Sequence, residues 1–232
     1  MKRLYNHPME FVKGRVNTRE DVLVVDKPEG WTSHDVVAKV RGILSKRAGE
    51  RVKVGHGGTL DPFATGVLLI LLGKATKRFD EIREWDKEYE MEVKLGQTTD
   101  TGDKTGKVIE KKKVAKLSTS KVEKVLKSFV PGYEQQVPKY AAVKIKGKRA
   151  YQLARKGIEF KQPKREVKIK KIELISLQGD SPPKDGQALQ VRVVCGGGTY
   201  MRQLAVDIGE KLGLPAHAKL LRRTRVGEYQ LE

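Results

Sequence analysis

Asp61 is the residue of this chain best placed to do chemistry, since it is the single carboxylate in the glycine-rich sequence at residues 55–66. Two consecutive glycines before it allow the backbone to turn tightly or to approach another molecule closely. Pro62 disfavours the α region for Asp61 and so restrains the direction of the carboxylate. The apolar run at 67–72 must be buried and anchors the loop. A restrained acid beside a buried element is typical of a catalytic group that the fold holds rigid.

An ordinary turn is the alternative interpretation of this stretch. Aspartate before proline is common in turns, where the side chain bonds its own backbone. The pattern alone leaves both interpretations open, so the choice depends on the rest of the chain.

Composition favours a globular protein that binds a polyanion. The 232 residues suit one sizeable domain, with or without an insertion, and the apolar fraction of 38% excludes outright disorder. The formal charge of +19 points first to nucleic acid and second to a membrane surface. No apolar run approaches the ~20 residues that span a bilayer, which favours the cytoplasm. The only cysteine, Cys195, excludes an intramolecular disulfide and a cysteine-cluster metal site.

Hydrophobic periodicity predicts strands and helices in a mixed order. The predicted elements are strands at 22–26, 52–56, 87–95 and 188–195, and helices that begin with caps at Ser33, Ser118 and Thr199. A bulge at Lys170-Lys171 would keep both halves of a further strand facing the core, and Cys195 is predicted to be a core residue. Residues 96–106 are predicted to be a turn rather than a calcium loop, because the ligand spacing is wrong. Without a regular βαβ order, the pattern predicts an α+β fold.

Residues 139–171 differ from the rest of the chain in charge. They include thirteen lysines or arginines and two acids, with Tyr140, Tyr151 and Phe160 interleaved. Cations that neutralise phosphates, together with aromatic rings that stack on unpaired bases, are typical of an RNA-binding surface. A solvated charged face is the alternative, but the excess of one sign is too large for surface helices laced with salt bridges. A short helix at 149–156 is predicted within this segment.

Four separated segments, in order, resemble the bacterial tRNA pseudouridine synthases that act on uridine 55 of the T-loop. The matching segments are Asp26-Lys27-Pro28 with Gly30, Thr32 and Ser33; residues 55–66; residues 87–103; and residues 198–204, with Leu221-Arg222-Arg223-Thr224 at the end. The resemblance extends over nearly everything from Val22 to Gly227. It implies a pseudouridine synthase catalytic fold with a mixed, largely antiparallel sheet flanked by helices.

The resemblance also implies roles for individual residues. Asp61 matches the covalent nucleophile, which attacks either the ribose or the base. Arg202 matches an arginine that could hold this carboxylate in a forked pair, and Tyr89 matches a tyrosine that stacks on the target base and helps to remove its C5 proton. The target nucleotide must be flipped out of the loop, and His56 matches a histidine that fills its place. The predicted RNA- and base-binding residues are His56, Lys27, Pro28, Gly58, Tyr200, Leu221, Tyr140, Lys144, Lys148, Arg149, Tyr151 and Arg155.

Lys27 and Pro28 would shape the pocket, although Lys27 could equally contact a phosphate. The chemistry requires no cofactor and no metal, because substrate and product are isomers.

The domain organisation implied by the resemblance is a catalytic domain at 21–232 after an N-terminal extension at 1–20. The segment 131–171 corresponds to a basic insertion that closes over the T-loop as a thumb, although Lys139 and Ala141 depart from the usual proline and serine. The small C-terminal RNA-binding domain (PUA type) of bacterial relatives is expected to be absent. The expected partner is the T-arm of tRNA, bound by a monomer without a small-molecule cofactor.

Two other functions compete with this one. A non-catalytic RNA chaperone or assembly factor could use the same basic surface, and a phosphoryl-transfer or hydrolytic enzyme would need a P-loop, acid pair or metal cluster that the sequence lacks. Within the family, the long basic insertion favours the stand-alone bacterial type over the archaeal type, which works in a guide-RNA complex.

Overall fold

The computed structural model describes residues 21–145, 147–178 and 187–231, so the extension predicted at 1–20 lies outside the described residues. The chain divides into two compact units. The first contains the described residues up to Lys87 together with those from Arg222 onward, and the second contains Glu88–Leu221.

Strands and helices alternate irregularly along the described chain, as the sequence predicts. In order they are β1 (Val22–Lys27), α1 (Ser33–Ala48), β2 (Val54–His56), β3 (Thr65–Leu72), a 3₁₀-helix (Gly73–Arg78), α2 (Phe79–Glu84), β4 (Lys87–Leu95), β5 (Gln97–Thr99), β6 (Val108–Lys111), α3 (Thr119–Lys127), β7 (Gly132–Gln136), β8 (Lys144–Ile145), β9 (Lys148–Arg149), α4 (Ala150–Arg155), β10 (Lys164–Gln178), β11 (Ala188–Cys195), α5 (Met201–Leu212), β12 (Ala216–Val226) and β13 (Tyr229–Gln230). Most of the described strand pairs are antiparallel, which confirms the α+β class with a mixed, largely antiparallel sheet and flanking helices.

Strand β3 is the centre of the first unit. It pairs antiparallel with β1 and β2, and its first residues pair in parallel with the end of β12, where Arg223 lies opposite Gly66. Its residues from Gly66 to Leu72 are all buried, which confirms the burial predicted for the apolar run. Alternate side chains face two core clusters: Leu68 and Ile70 pack with α1, and Leu69 packs with α2. An unbroken apolar sequence is required because both faces of this strand are covered.

The N-cap of helix α1 lies one residue earlier than predicted. Thr32, not Ser33, is the N-cap: its hydroxyl accepts from the Asp35 N–H at 3.1 Å, and the Asp35 carboxylate accepts from the Thr32 N–H at 2.9 Å. This reciprocal pair is a capping box, and it leaves the Ser33 hydroxyl available for a tertiary contact. The apolar face is confirmed at its buried valines and at Leu44, whereas Ile43 is only half-buried.

The second unit contains strands in the order β4-β11-β10-β7. Strand β10 pairs antiparallel with β11 and β7, and its register with β11 shifts between Ile169 and Lys171, which confirms the predicted bulge. Buried Cys195 is confirmed as a core residue. The predicted cap of α5 is wrong, since Tyr200 and not Thr199 is the N-cap. The Thr199 hydroxyl does not cap the helix and donates to the Gly196 carbonyl at 3.1 Å.

The segment predicted as a turn has more order than expected, and the basic segment between β7 and β10 has closely spaced ends. Residues 96–106 contain β5, which pairs antiparallel with β6. Between β7 and β10, Gln136 lies opposite Lys164, so the two ends of the intervening segment 137–163 are side by side. This geometry suits a segment that projects from the sheet, as the predicted thumb would; within it, the predicted helix is α4. Among the described helices, none combines the length and the apolar character needed to cross a membrane.

Replacing Gly66 by alanine should destabilise the first unit. Gly66 has a φ of 101°, and a Cβ there would lie 2.2 Å from the Arg223 carbonyl oxygen. The left-handed backbone and the overlap with a neighbouring strand together should lower the free energy of unfolding by about 3 kcal/mol, as measured by urea denaturation. Gly42→Ala in α1 is the control, because its Cβ would meet nothing within 4 Å and should stabilise the helix by about 0.5–1 kcal/mol. Equal effects of the two substitutions would contradict this account of the β3–β12 contact.

Candidate active site

Asp61 lies half-buried in a tight turn between β2 and β3 of the first unit. Its carbonyl oxygen accepts from the Ala64 N–H at 3.1 Å, and the loop is joined to β3 where the Gly57 N–H donates to the Leu69 carbonyl at 2.8 Å. A Cβ on Gly57 would lie 2.7 Å from Cγ2 of Ile82. The first glycine of the pair is therefore explained by close packing within this unit.

Ser33 holds the residue immediately before Asp61. Its hydroxyl donates to the Leu60 carbonyl at 3.1 Å and accepts from the Leu60 N–H at 2.8 Å. Both backbone groups of Leu60 are buried, so the hydroxyl satisfies them in place of a strand partner. Ser33 was matched to a family motif and predicted only as a helix cap, because its real partner is 27 residues away.

Arg223 is the main functional residue that the sequence interpretation missed. Its side chain is buried, and its guanidinium donates to the carbonyls of Val67 at 2.7 Å, Gly58 at 3.3 Å and Thr59 at 3.4 Å. One cation thus binds both ends of the loop that carries Asp61. The signal was present in the alternation of β12, since Leu221 is also buried and Arg223 lies two residues further on the same side.

Lys27 binds the other side of the same loop. Its ammonium group donates to the carbonyls of Trp31 at 2.7 Å, Pro28 at 2.8 Å and Pro62 at 3.3 Å, and the residue has no exposed surface. Burial lowers the pKa of Lys27 to about 8, and the negative charge of Asp61 opposes that shift. These contacts occupy the ammonium group inside the protein; the pocket-shaping role and the alternative phosphate contact of Lys27 both stay predictions.

His56 leads into the loop from the end of β2. Its Nδ1 accepts from the Gly58 N–H at 3.3 Å, and its ring lies edge-on to Phe79 with 6.4 Å between the centroids. Burial and the positive charges of Arg223 and His34 lower the pKa of His56, so the ring is neutral at neutral pH. A neutral, half-buried ring is compatible with the predicted place beside RNA bases, and that role stays a prediction.

The second unit contains Arg202, whose side chain is only 6% exposed. Its guanidinium donates to the carbonyls of Thr101 at 2.9 Å and Tyr140 at 3.1 Å, and its Nε lies 3.6 Å from a carboxylate oxygen of Asp103. Gly102 has a φ of 74°, and a Cβ there would lie 3.4 Å from the Arg202 carbonyl. The loop after β5 is therefore built closely around this arginine.

Asp103 is buried, and it binds groups of that loop as well as facing Arg202. One of its carboxylate oxygens accepts from the hydroxyl of Thr101 at 3.0 Å and from the Thr105 N–H at 2.9 Å. Its carbonyl accepts from the Thr99 hydroxyl at 2.7 Å. The predicted turn thus has a defined function, which is to place a buried carboxylate beside a buried guanidinium.

The other predicted residues of the second unit differ in exposure. Tyr89 on β4 and Leu221 on β12 are buried, and Tyr200 at the start of α5 is half-buried. In the basic segment, the exposed cations are Lys144, Lys148, Arg149 and Arg155, and the half-buried rings are Tyr140 and Tyr151. The Arg155 guanidinium lies 5.6 Å from the Tyr151 ring centroid. Exposed cations beside aromatic rings have the composition expected of an RNA contact, which stays a prediction.

The structure therefore collects five predicted residues around one loop of the first unit: Lys27, Pro28, His56, Gly58 and Asp61. It assigns Tyr89, Arg202, Tyr200, Leu221 and the basic segment to the second unit. The assignment of Arg202 to Asp61 stays a prediction from the resemblance.

Ser33→Ala should lower the catalytic rate, because it removes the hydroxyl that bridges the backbone groups of Leu60. Leaving these groups without partners should cost about 1–3 kcal/mol of folding stability and loosen the loop around Asp61. Ser45→Ala is a matched control on the same helix, since the Ser45 hydroxyl accepts from the Val52 N–H at 2.9 Å away from the loop. Both variants should be less stable in thermal melts, but only Ser33→Ala should turn over more slowly at a temperature where both are folded.

The buried ammonium of Lys27 should give the free energy of unfolding a specific pH dependence. Between about pH 8 and 10.5 the unfolded chain holds the Lys27 proton and the folded chain releases it. Stability contributed by this group therefore rises across that interval and is lost as pH falls through 8. In Lys27→Met this dependence should disappear, so the difference in unfolding free energy between wild type and variant should grow from pH 8 to 10.5. A constant difference would contradict the lowered pKa of Lys27.

Known proteins resemble this chain along most of its length. A model of the TruB family pseudouridylate synthase (N terminal domain) matches residues 45–201, and a model of the tRNA pseudouridylate synthase B C-terminal domain matches residues 202–232. The tRNA pseudouridine synthase B of Parabacteroides distasonis is 43% identical, covering 97% of this chain and 90% of the relative. That of Bacillus subtilis is 45% identical, covering 91% of this chain and 66% of the relative.

Two solved structures resemble this chain over nearly its whole length. The chain is similar to one in a Cbf5-Nop10-Gar1 complex, with 28% identity, a TM-score of 0.68 and 98% of this chain covered. A second similar chain comes from an H/ACA RNP bound to a substrate RNA containing 2'-deoxyuridine, with 26% identity and a TM-score of 0.64. The chain spans about 60% of the length of both solved chains. The matched model over most of the chain, and relatives above 40% identity, show that this chain belongs to the TruB family of pseudouridylate synthases.

Proposed function

We propose that this protein converts uridine 55 in the T-loop of tRNA to pseudouridine. The observation that carries the proposal is the fixed position of the Asp61 loop, in a family whose curated relatives are named tRNA pseudouridine synthase B. Ser33, Lys27 and Arg223 hold the backbone on both sides of the carboxylate. A loop held in this way keeps the nucleophile in place.

The proposed reaction breaks the bond between N1 of uracil and C1′ of ribose and forms a bond between C5 and C1′. Uracil turns between these two steps, and the proton on C5 is lost while N1 gains one. Substrate and product are isomers, so the reaction requires neither an oxidant nor a group donor. One carboxylate suffices as the covalent nucleophile, whether it attacks the sugar or the base.

The remaining roles follow from the resemblance and agree with the burial of the residues concerned. Tyr89 would stack on the extruded uracil and assist loss of the C5 proton, and Arg202 would keep the catalytic carboxylate ionised. A buried guanidinium already bound to two carbonyls has little freedom to move, which suits that role. Leu221 and Tyr200 would contact the RNA.

The RNA must be deformed before the reaction, because uridine inside a folded T-loop is not accessible. His56, neutral through its lowered pKa, would take the place of the extruded base. The exposed cations of the basic segment would neutralise phosphates of the T-arm. We place this activity in the cytoplasm and assign it to a monomer. The long basic segment between β7 and β10 supports action without a guide RNA.

The decisive measurement is release of tritium from C5 of uracil in T-arm RNA. Wild type should release label to water, and Asp61→Asn should reduce release by more than about 1,000-fold because no carboxylate remains to form the covalent intermediate. RNA affinity should remain within a few fold of wild type, since the proposed phosphate contacts are elsewhere.

Asp80→Asn is the control, because Asp80 is an exposed carboxylate on α2 outside the loop. It should leave both release and RNA binding unchanged. Full release by Asp61→Asn would contradict the assigned nucleophile, and absence of release with wild type would favour the alternative of a non-catalytic RNA-binding protein.

A further inference from the structure

Gln135 is a fully buried glutamine near the end of β7 that no part of the proposed mechanism uses. A buried amide costs free energy unless its donors and acceptor are bound. The amide oxygen of Gln135 accepts from the Tyr200 N–H at 2.9 Å, and its nitrogen donates to the Tyr200 carbonyl at 3.1 Å and to the Tyr133 hydroxyl at 2.7 Å. Reversing the amide would place its N–H groups against the Tyr200 N–H, so the orientation is unambiguous.

This pairing replaces a missing helix cap. Tyr200 is the N-cap of α5, and its side chain makes no capping hydrogen bond. The Tyr200 carbonyl also accepts from the Leu204 N–H at 3.0 Å, the first bond of the helix. The amide of Gln135 therefore holds both backbone groups of the residue from which α5 starts, as a neighbouring strand would.

A second arm of the same network reaches the next turns of α5. The Tyr133 hydroxyl, which accepts from Gln135, donates to one carboxylate oxygen of Asp207 at 2.5 Å. Gln203 donates to the other oxygen at 2.8 Å. Burial and the Asp207 charge raise the pKa of Tyr133, so the phenol remains a donor over the physiological range. Strand β7 thus binds α5 at its start and again near its middle.

Arg202 lies between these two attachments. It follows Tyr200 by two residues, and its guanidinium is directed to the carbonyls of Thr101 and Tyr140. A shift of the first turn of α5 would move this guanidinium by a similar distance, and misplacement of a catalytic group by about 1 Å can reduce the rate about 100-fold.

We propose that Gln135 is a positioning residue for Arg202, acting by fixing the backbone of Tyr200 at the start of α5. The inference rests on the proposed role of Arg202 in uridine isomerisation. Gln135 itself has no exposed surface and touches no substrate.

Gln135→Met tests the proposal, because methionine keeps the length of the side chain and removes all its hydrogen bonds. At saturating T-arm RNA, kcat for tritium release should fall about 10- to 100-fold. KM should change less than about threefold. Both kcat and KM should be measured at a temperature at which circular dichroism shows that the variant is fully folded. A normal kcat, or a loss confined to KM, would overturn the proposal.

Two further variants separate positioning from general loss of stability. Tyr133→Phe leaves Asp207 with one partner fewer but keeps both bonds between Gln135 and Tyr200, so it should lower the melting temperature and leave kcat within about threefold. Gln190→Met is the matched control on β11, where Gln190 donates to Glu92 at 3.0 Å, and it should leave kcat unchanged. Equal kcat losses in all three variants would overturn the proposal.

A double-mutant cycle with Arg202→Lys tests the connection directly. If Gln135 acts through Arg202, then Gln135→Met should cost much less activity in the Arg202→Lys background than in wild type. Strictly additive losses would overturn the inference while leaving the proposed function intact. Absence of tritium release by wild type would instead contradict the proposed function, so the two failures are distinguishable.

Discussion

The structure depends on hydrogen bonds that side chains from distant segments make to the backbone of the Asp61 loop. A loop between strands lacks ladder partners, so its buried carbonyls and N–H groups must be satisfied in another way. Here Ser33 takes both groups of Leu60, and Lys27 and Arg223 take carbonyls on either side. The carboxylate is thereby restrained through its own backbone.

Binding of buried cations to carbonyls recurs in both units. In the first unit, the Lys87 ammonium donates to the carbonyls of Ile82, Arg83 and Trp85 at the end of α2. In the second, Arg202 is bound in the same manner. Carbonyl dipoles offset part of the desolvation free energy of a buried cation. Each cation in turn orders a loop or a helix end. Part of the excess positive charge is therefore internal and cannot neutralise RNA phosphates.

Burial of these cations also defines local electrostatics near the proposed nucleophile. The charges on Lys27 and Asp61 attract each other, and this attraction keeps the Lys27 pKa from falling further. Burial, and after it the positive charge of Arg223, lower the pKa of His56 and keep that ring neutral. The Asp61 loop thus has the buried cation of Lys27 on one side and the uncharged ring of His56 at the end of β2, where the loop begins.

The sequence by itself determined strands β1, β2, β4, β10 and β11, the apolar helix faces, the bulge in β10 and the motif that contains Asp61, because these depend on the alternation of neighbouring residues. It placed the caps of α1 and α5 one residue off, since two adjacent hydroxyls competed at α1, and at α5 the amide of Gln135 replaced a local cap. The sequence interpretation placed Arg223 in a family motif but assigned no role to this residue. Only the tertiary structure decided which side chains hold the Asp61 loop, because these donors lie up to 165 residues from their acceptors and no local pattern encodes such a contact.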